Sequence, residues 1–219
     1  MSDAQLRKDM VAACKRLEAE GLNRGASGNI SVRTDKHMLI TPTAVAYDVI
    51  KPEMMARMAL DDASGEWEGP NGPSSEWRFH RDLLRARPDI NAVVHTHAPW
   101  CTVLAVARKP IPAIHYMIAA FGGPDIRVAD YARYGTAELS ENVVEAMEGR
   151  NGALMANHGM IVGGSDLTRA LWLAGELEAL AHQYYHAEAI GGGHVLSDAQ
   201  IAETAKGFAS YGVTAREDA

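Results

Sequence analysis

Short apolar segments interleave with longer helix-like segments along this chain, and they do so without a regular strand–helix period. Strand-like segments occupy about residues 30–33, 38–41, 58–60, 66–68, 90–95, 111–115, 126–128, 153–155 and 160–162. Helix-like segments occupy about residues 4–19, 76–86, 99–107, 136–147 and 165–189, the last with Ser165 as its cap, and a capping box of Ser197 and Gln200 begins one more. The first four strand-like segments are spaced as two hairpins. We therefore expect an α/β fold with a central sheet that is mixed or largely antiparallel.

The length and composition fit one domain. The chain has 219 residues without an internal repeat or a long linker, so we expect a single catalytic domain over residues 1–219. No apolar run approaches the roughly 18 residues that cross a bilayer, and the polar first residues lack the apolar core of a secretory signal. We expect a cytoplasmic protein that does not bind membranes, with Cys14 and Cys101 reduced. The net charge of −7 disfavours nonspecific binding of nucleic acid but still permits a small anionic substrate.

Two histidines mark a candidate metal site. His95 and His97 stand two residues apart at the end of the apolar run 92–94. Residues i and i+2 of an extended segment face the same side, so both imidazoles can reach one ion. A catalytic zinc ion commonly takes three protein ligands and keeps one position open. We choose His158 as the third ligand, because it interrupts two apolar segments at a turn where a polar side chain can face a cleft. Taken singly, each of these histidines also fits a purely structural role.

Other histidines are weaker candidates. His80 follows the helix start by one turn, but the neighbouring arginines indicate a partly solvated helix face. His182 and His186 have the i, i+4 spacing of metalloprotease helices, but Gln183 stands where those helices carry glutamate. We therefore read these three histidines as structural or surface residues.

A carboxylate and a glycine-rich segment complete the candidate site. Glu76 follows Ser74 and Ser75 at an expected helix start, where free N–H groups and the helix dipole attract anions. The plainer interpretation is that Ser75 is the N-cap and Glu76 is a first-turn acid matched to the dipole. The segment 25–29 is equally ambiguous, because its glycines can bring backbone amides close to a phosphate or form an ordinary turn. It matches neither a P-loop nor a dinucleotide-binding fingerprint, so we set nucleotide binding aside.

The order of these features resembles that of a known family. The series GLNRGASGNISVR, LITPTAVAYD, PSSEWRFH, AVVHTHAPWCTVLA, IPAIHYMIAAFGG and NHGMIVGG is similar to the class II aldolase/adducin family. The resemblance extends from the first helix to Tyr211, and it is closest to the branch of L-fuculose-1-phosphate aldolases. It implies a central antiparallel sheet flanked by helices. It also implies a homotetramer with fourfold symmetry and active sites at the subunit interfaces.

The resemblance also implies a role for individual residues. His95, His97 and His158 match zinc-binding histidines, with cobalt or manganese as alternative metals. Glu76 matches a carboxylate that ligates the resting metal and serves as acid/base. The positions matching a phosphate site are Ser27, Gly28, Asn29, Thr43, Ala44, Ser74 and Ser75. Tyr116 matches a tyrosine that reaches the neighbouring subunit's site, and Tyr211 matches one on a mobile C-terminal tail.

The implied activity is zinc-dependent retro-aldol cleavage of a ketose 1-phosphate, similar to L-fuculose 1-phosphate, into dihydroxyacetone phosphate and a short aldehyde. Glu76 favours this branch, because related sugar-phosphate epimerases carry aspartate at that position. An aldolase acting on 5-deoxyribulose 1-phosphate or its methylthio analogue would share every catalytic residue. More distant alternatives are an epimerase, a dehydratase or a decarboxylase of the same superfamily, and a non-catalytic adducin-like binding module, whose members lack the metal histidines.

Three positions depart from the pattern of the fuculose branch. Ala26 stands where that branch has threonine, which removes a phosphate donor that Ser27 could replace. Ala44 stands where it has glycine, and Tyr134 replaces a phenylalanine near the aldehyde. These departures leave the identity of the ketose phosphate open.

Overall fold

A computed structural model of the chain describes residues 2–208. Within these residues, seven strands form one sheet in the order β3-β2-β1-β4-β7-β6-β5. The strands are β1 (Asn29–Thr34), β2 (His37–Ile40), β3 (Ala56–Ala59), β4 (Ala92–Thr96), β5 (Arg127–Ala129), β6 (Gly152–Met155) and β7 (Gly159–Gly164). Neighbouring strands pair antiparallel except β5 and β6, which pair parallel. The prediction of a mostly antiparallel sheet is therefore confirmed.

Helices cover both faces of the sheet. They are α1 (Asp3–Ala19), α2 (Trp77–Ala86), α3 (Pro99–Val106), α4 (Ala137–Ala146), α5 (Leu167–Ala189) and α6 (Asp198–Phe208). Alternate residues of β4 enter opposite cores: Val94 packs with side chains of α1, α3 and α5, whereas Val93 packs with those of α2 and α4. A strand covered on both faces reads as a continuous apolar run, which is why 92–94 carries no polar alternation. No helix among residues 2–208 is both long enough and apolar enough to cross a membrane.

Two predicted strands are wrong. Residues 66–68 form only a single bridge, between Glu68 and Arg57, because Trp67 stays half exposed and the segment has no face to bury. Residues 111–115 likewise form only the bridge between Ile111 and Ile126. Pro112, which has no N–H to donate, follows at once and prevents a longer ladder.

Two predicted helix caps are also wrong. Helix α2 begins at Trp77, and the residue at its N-cap position is Glu76 rather than Ser75. The long helix α5 is capped by Asp166 rather than Ser165, because the Asp166 carboxylate accepts a hydrogen bond from the Arg169 N–H at 2.8 Å. The predicted capping box of α6 is confirmed: the backbone N–H of Ser197 donates to the side chain of Gln200, and that of Gln200 to the hydroxyl of Ser197.

The sheet brings three chain segments together at one end. Asn29, the first residue of β1, pairs with His95 near the end of β4. Thr96, the last residue of β4, pairs with Met160 at the start of β7. The beginning of β1, the end of β4 and the turn before β7 therefore meet, and the start of α2 packs beside them.

Candidate metal centre

Three imidazoles converge at this end of the sheet. His95 lies on β4, His97 follows its last residue, and His158 lies in the turn between β6 and β7. Each offers one nitrogen, and these three atoms all lie within 4.8 Å of one another. The ring centroids form a triangle with sides of 5.1, 4.7 and 4.9 Å. The structure thus brings together the three histidines that the sequence singled out.

The turn that carries His158 depends on its two neighbours. Asn157 has a φ of +54°, a left-handed conformation that asparagine tolerates better than most residues. Gly159 allows β7 to approach β4 closely, since a Cβ there would lie 2.5 Å from the carbonyl oxygen of Thr96 and 2.9 Å from Cδ2 of His97. Asparagine, histidine and glycine in this order therefore place the imidazole next to the ligands of the other strand.

The nitrogen atoms are prepared to bind a cation. The Nδ1 atom of His95 lies 2.8 Å from the carbonyl oxygen of Met160, which can only accept, so Nδ1 carries the proton and Nε2 presents its lone pair. In the part of the chain that the structure describes, the buried Nε2 atoms of His95 and His97 have no hydrogen-bond partner. Burial lowers the pKa of His95 to about 4 and lowers that of His97 as well, so both are neutral at pH 7. Neutral imidazoles with unused, converging lone pairs are the donor set that a divalent transition metal needs.

The Glu76 carboxylate faces the same point. One of its oxygen atoms lies 3.2 Å from Nε2 of His158 and the other 3.3 Å from Nε2 of His95. Burial alone would raise the pKa of Glu76, but the facing imidazoles and a hydrogen bond from Asn29 outweigh it and hold this pKa well below its ordinary value. The carboxylate is therefore ionised and close enough to act as a further ligand or as a base.

A cavity of about 490 Å³ opens in front of these groups. It is lined by Ala26, Ser27, Thr43, Ala44, Ser75, Glu76, His97, Tyr131, Ala132, Tyr134, Asn157 and His158. Two histidines and the carboxylate form one part of the wall, three hydroxyl side chains form another, and two tyrosine rings form a third. The cavity can thus hold a small ligand that has both a metal-binding end and a polar end.

The predicted phosphate residues divide into two groups. Ser27, Thr43, Ala44 and Ser75 line the cavity, whereas Gly28, Asn29 and Ser74 are buried behind it. A Cβ on Gly28 would lie 2.8 Å from the carbonyl oxygen of His95, so its role here is close packing against β4. The amide of Asn29 donates to Glu76 at 2.9 Å, and the hydroxyl of Ser74 accepts from the N–H of Glu76 at 3.3 Å. A phosphate contact by the three buried residues stays a prediction.

Of the two predicted catalytic tyrosines, the structure describes only Tyr116, which lies apart from this cavity. Tyr116 is 51% exposed, stacks on Phe208 with centroids 6.3 Å apart, and lines a different cavity of about 1060 Å³ beside Trp172. Its action on a neighbouring subunit's site stays a prediction. Tyr211 lies outside the described residues.

Two features of the site were missed or misread in the sequence. His80 is fully buried, not on a solvated helix face, and Arg81 beside it is buried too. The guanidinium of Arg81 bonds to the carboxylate of Asp82 and to the carbonyl oxygen of Asp62, so its charge is satisfied inside the protein. Tyr131, which lines the cavity, had only one sequence signal, an aromatic residue in a polar segment directly after a strand.

Several known proteins similar to this chain are named as aldolases of sugar phosphates. The family described as class II aldolase and adducin N-terminal domain matches residues 8–185. The 5-methylthioribulose-1-phosphate/5-deoxyribulose-1-phosphate aldolase of Rhodospirillum rubrum is 46% identical over 211 residues, covering 96% of this chain and 94% of the relative. The L-fuculose phosphate aldolase of Escherichia coli O6:H1 is 44% identical over 218 residues, covering 99% and 100%. A solved structure of L-fuculose 1-phosphate aldolase is 38% identical, with a TM-score of 0.91 over 95% of this chain and 98% of that one.

Proposed function

This chain belongs to the class II aldolase and adducin family and is an aldolase, and we propose that it cleaves a ketose 1-phosphate to dihydroxyacetone phosphate and a short aldehyde. The proposed metal is one zinc ion per subunit, with cobalt or manganese as alternatives. The observation that carries the proposal is the meeting of three converging imidazoles with the ionised Glu76, at the wall of a cavity that also presents hydroxyl groups.

The residues present fit the steps of a retro-aldol reaction. Cleavage of the C3–C4 bond leaves negative charge on C3 and on the C2 oxygen. His95, His97 and His158 would hold the zinc ion, which would supply Lewis-acid stabilisation of that charge. In the direction of condensation, the ionised Glu76 removes a proton from C3 of dihydroxyacetone phosphate, and in the direction of cleavage the same proton returns from Glu76 to C3. In condensation, the hydroxyl of Tyr116 or Tyr211 is proposed to donate its proton to the aldehyde oxygen, which becomes the C4 hydroxyl, and in cleavage the resulting phenolate takes that proton back.

The phosphate end is proposed to lie against the hydroxyl wall. Ser27, Thr43 and Ser75 line the cavity, and Ser75 precedes the N-terminus of α2, where the helix dipole favours an anion. Asn29 and Ser74, which are buried behind the cavity wall, are proposed to add further contacts to the phosphate. Holding the phosphate fixes carbons 1–3 relative to Glu76, and such positioning can supply a large part of the rate acceleration.

The aldehyde portion of the substrate is the part that differs between relatives. One relative is named for 5-methylthioribulose 1-phosphate and 5-deoxyribulose 1-phosphate, the other for L-fuculose phosphate, and their identities to this chain are 46% and 44%. An L-fuculose 1-phosphate-like substrate would release lactaldehyde, whereas the 5-deoxy substrate would release acetaldehyde. Tyr134, which lines the cavity, is proposed to lie next to this aldehyde.

The test uses purified enzyme of known metal content. It is incubated with dihydroxyacetone phosphate and a panel of aldehydes (lactaldehyde, acetaldehyde and methylthioacetaldehyde), and each ketose 1-phosphate formed is measured. We expect condensation with at least one aldehyde. The absence of any ketose phosphate with metal-loaded enzyme would contradict the proposed function.

A variant of Glu76 tests its role separately. Glu76→Gln should still bind dihydroxyacetone phosphate but should stop the exchange of its C3 proton with solvent, which is measured by NMR in deuterium oxide. Glu53→Gln, at an exposed position that does not line the cavity, is the matched control and should exchange at the wild-type rate. Persistent exchange in Glu76→Gln would show that another group is the base.

The assembly and location are also proposals. We propose that residues 1–219 form one catalytic domain, that four chains assemble in the cytoplasm, and that Tyr116 enters the site of a neighbouring chain. The exposure of Tyr116 in the single chain supports its entry into a neighbouring chain's site. Light scattering should give the mass of a tetramer, and a monomer of full activity would remove Tyr116 from the reaction.

A further inference from the structure

A chain of hydrogen bonds lies behind the Glu76 carboxylate, within the protein core. The hydroxyl of Ser31 lies 2.7 Å from Nδ1 of His80. The Nε2 atom of the same ring lies 2.5 Å from Oδ1 of Asn29. The amide nitrogen of Asn29 lies 2.9 Å from Oε2 of Glu76. Ser31, His80 and Asn29 are all buried, so water does not compete for these bonds.

The direction of every bond follows from its partners. A carboxylate only accepts, so Asn29 must present its N–H to Glu76 and its carbonyl oxygen to His80. An amide oxygen also only accepts, so Nε2 of His80 must carry the proton, and its Nδ1 accepts from the Ser31 hydroxyl. All three donors therefore point toward Glu76, and aligned bonds of this kind strengthen one another.

The chain is anchored to the elements that carry the metal ligands. Asn29 and Ser31 both lie on β1, where Asn29 pairs with His95. His80 lies one helical turn after Glu76 on α2, and the ring of Phe79 stacks on it and contacts the ring of His95 edge-on. The hydrogen bonds therefore fix the start of α2, and with it the Glu76 side chain, relative to the strand that holds His95.

We propose that His80 is a positioning residue for the reaction, acting through Asn29 to hold the Glu76 carboxylate in the orientation from which it transfers the C3 proton. Ser31 completes the arrangement by donating to Nδ1 of His80, whose tautomer is set by the amide oxygen of Asn29. This inference rests on the proposed function, because it assigns a support to the proposed base. His80 itself does not line the cavity and is not proposed to touch the substrate.

The experiment compares two replacements of His80. His80→Gln keeps a donor for Asn29 and an acceptor for Ser31, whereas His80→Leu fills the space and makes neither bond. For His80→Leu we expect full zinc content and a KM for dihydroxyacetone phosphate within about twofold of wild type, with C3 proton exchange about 10–100-fold slower, the range found for groups that orient site residues. His80→Gln should recover most of that loss. His194→Leu, at an exposed position, is the control.

A readout independent of activity tests the direction of the bonds. NMR of the imidazole nitrogen atoms in the metal-free protein should show His80 with its proton on Nε2, and a proton on Nδ1 would overturn the proposal. Wild-type exchange in zinc-loaded His80→Leu would overturn it too. So would equal losses in both variants together with lost zinc, because that result indicates a packing role only. If the wild-type enzyme itself does not exchange the proton, the proposed function fails instead.

Discussion

Gly159→Ala is a substitution whose effect on the metal centre can be worked out from distances. Its Cβ would lie 2.5 Å from the carbonyl oxygen of Thr96, whereas ordinary contacts begin near 3.4 Å, so the two strands must separate by about 0.9 Å (3.4 − 2.5). Thr96 stands between His95 and His97, so this movement displaces both ligands. Overpacking of this kind costs about 1–3 kcal/mol in the free energy of unfolding. A functional site tolerates displacements of only about 0.5 Å, so we expect zinc affinity to fall about 10–100-fold.

Two measurements on the Gly159→Ala protein check this reasoning. Competition with a coloured chelator gives the zinc affinity, and urea unfolding of the metal-free protein gives the stability. Gly175→Ala is the control, because a Cβ in that helix meets no atom within 4 Å and should stabilise the protein by about 0.5–1 kcal/mol. If Gly159→Ala binds zinc as tightly as the wild type does, the close approach of β7 to β4 is not what places the ligands.

Three further predictions concern metal, pH and backbone conformation. Dialysis against a chelator should abolish aldol cleavage, and added zinc should restore it; full activity in metal-free protein, checked by elemental analysis, would contradict the site. Burial lowers the pKa of His80 to about 3 and that of His95 to about 4, from an ordinary 6.5. The unfolded chain therefore binds more protons, and the metal-free protein should lose about 1.4 kcal/mol of stability per pH unit for each histidine as pH falls from 6.5 toward 4. Urea unfolding at several pH values should show that the free energy of unfolding depends less steeply on pH in His80→Gln than in the wild type. Equal slopes would show that His80 does not contribute to this dependence. Ala44 has a φ of +53°, so Ala44→Gly removes about 1–2 kcal/mol of backbone strain from the folded state. The same change costs about 0.4–1 kcal/mol of stability, because glycine raises the entropy of the unfolded chain. The midpoint temperature of thermal unfolding should therefore not fall, and a lower midpoint would argue against strain at this position.

The sequence predicted the parts of the site that follow from local geometry. His95 and His97 could be assigned to one face because the strand period is two, and His158 because a polar turn interrupts two apolar strands. The pairing of β4 with β7, which brings these segments together, has no local signal. It depends on which distant strands bury the most surface, and it was not predicted; the resemblance to a family implied only that the three histidines bind one metal ion.

The burial of His80 could not be predicted for a different reason. The arginines beside it indicated a solvated helix face, yet Arg81 is buried and hydrogen-bonded to Asp82 and to the carbonyl oxygen of Asp62. A charged residue predicts an exposed position only when no hydrogen-bond partner can reach its side chain inside the protein. Arg81 has two such partners, the neighbouring Asp82 and the carbonyl oxygen of Asp62 in a more distant loop. The cap of α5 was misplaced because Ser165 and Asp166 are both favourable N-cap residues, and the sequence does not show that Asp166 takes the N-cap position.

The metal centre joins pieces of chain that are far apart in sequence: the start of α2, the end of β4 and the turn before β7. An ion held there acts as a reversible crosslink, and free zinc at 100 times its dissociation constant would add about 2.7 kcal/mol to the stability of the fold. The lifetime of the protein in a cell would then follow the supply of metal. Proteolysis of the protein should therefore be faster at limiting zinc than at excess zinc.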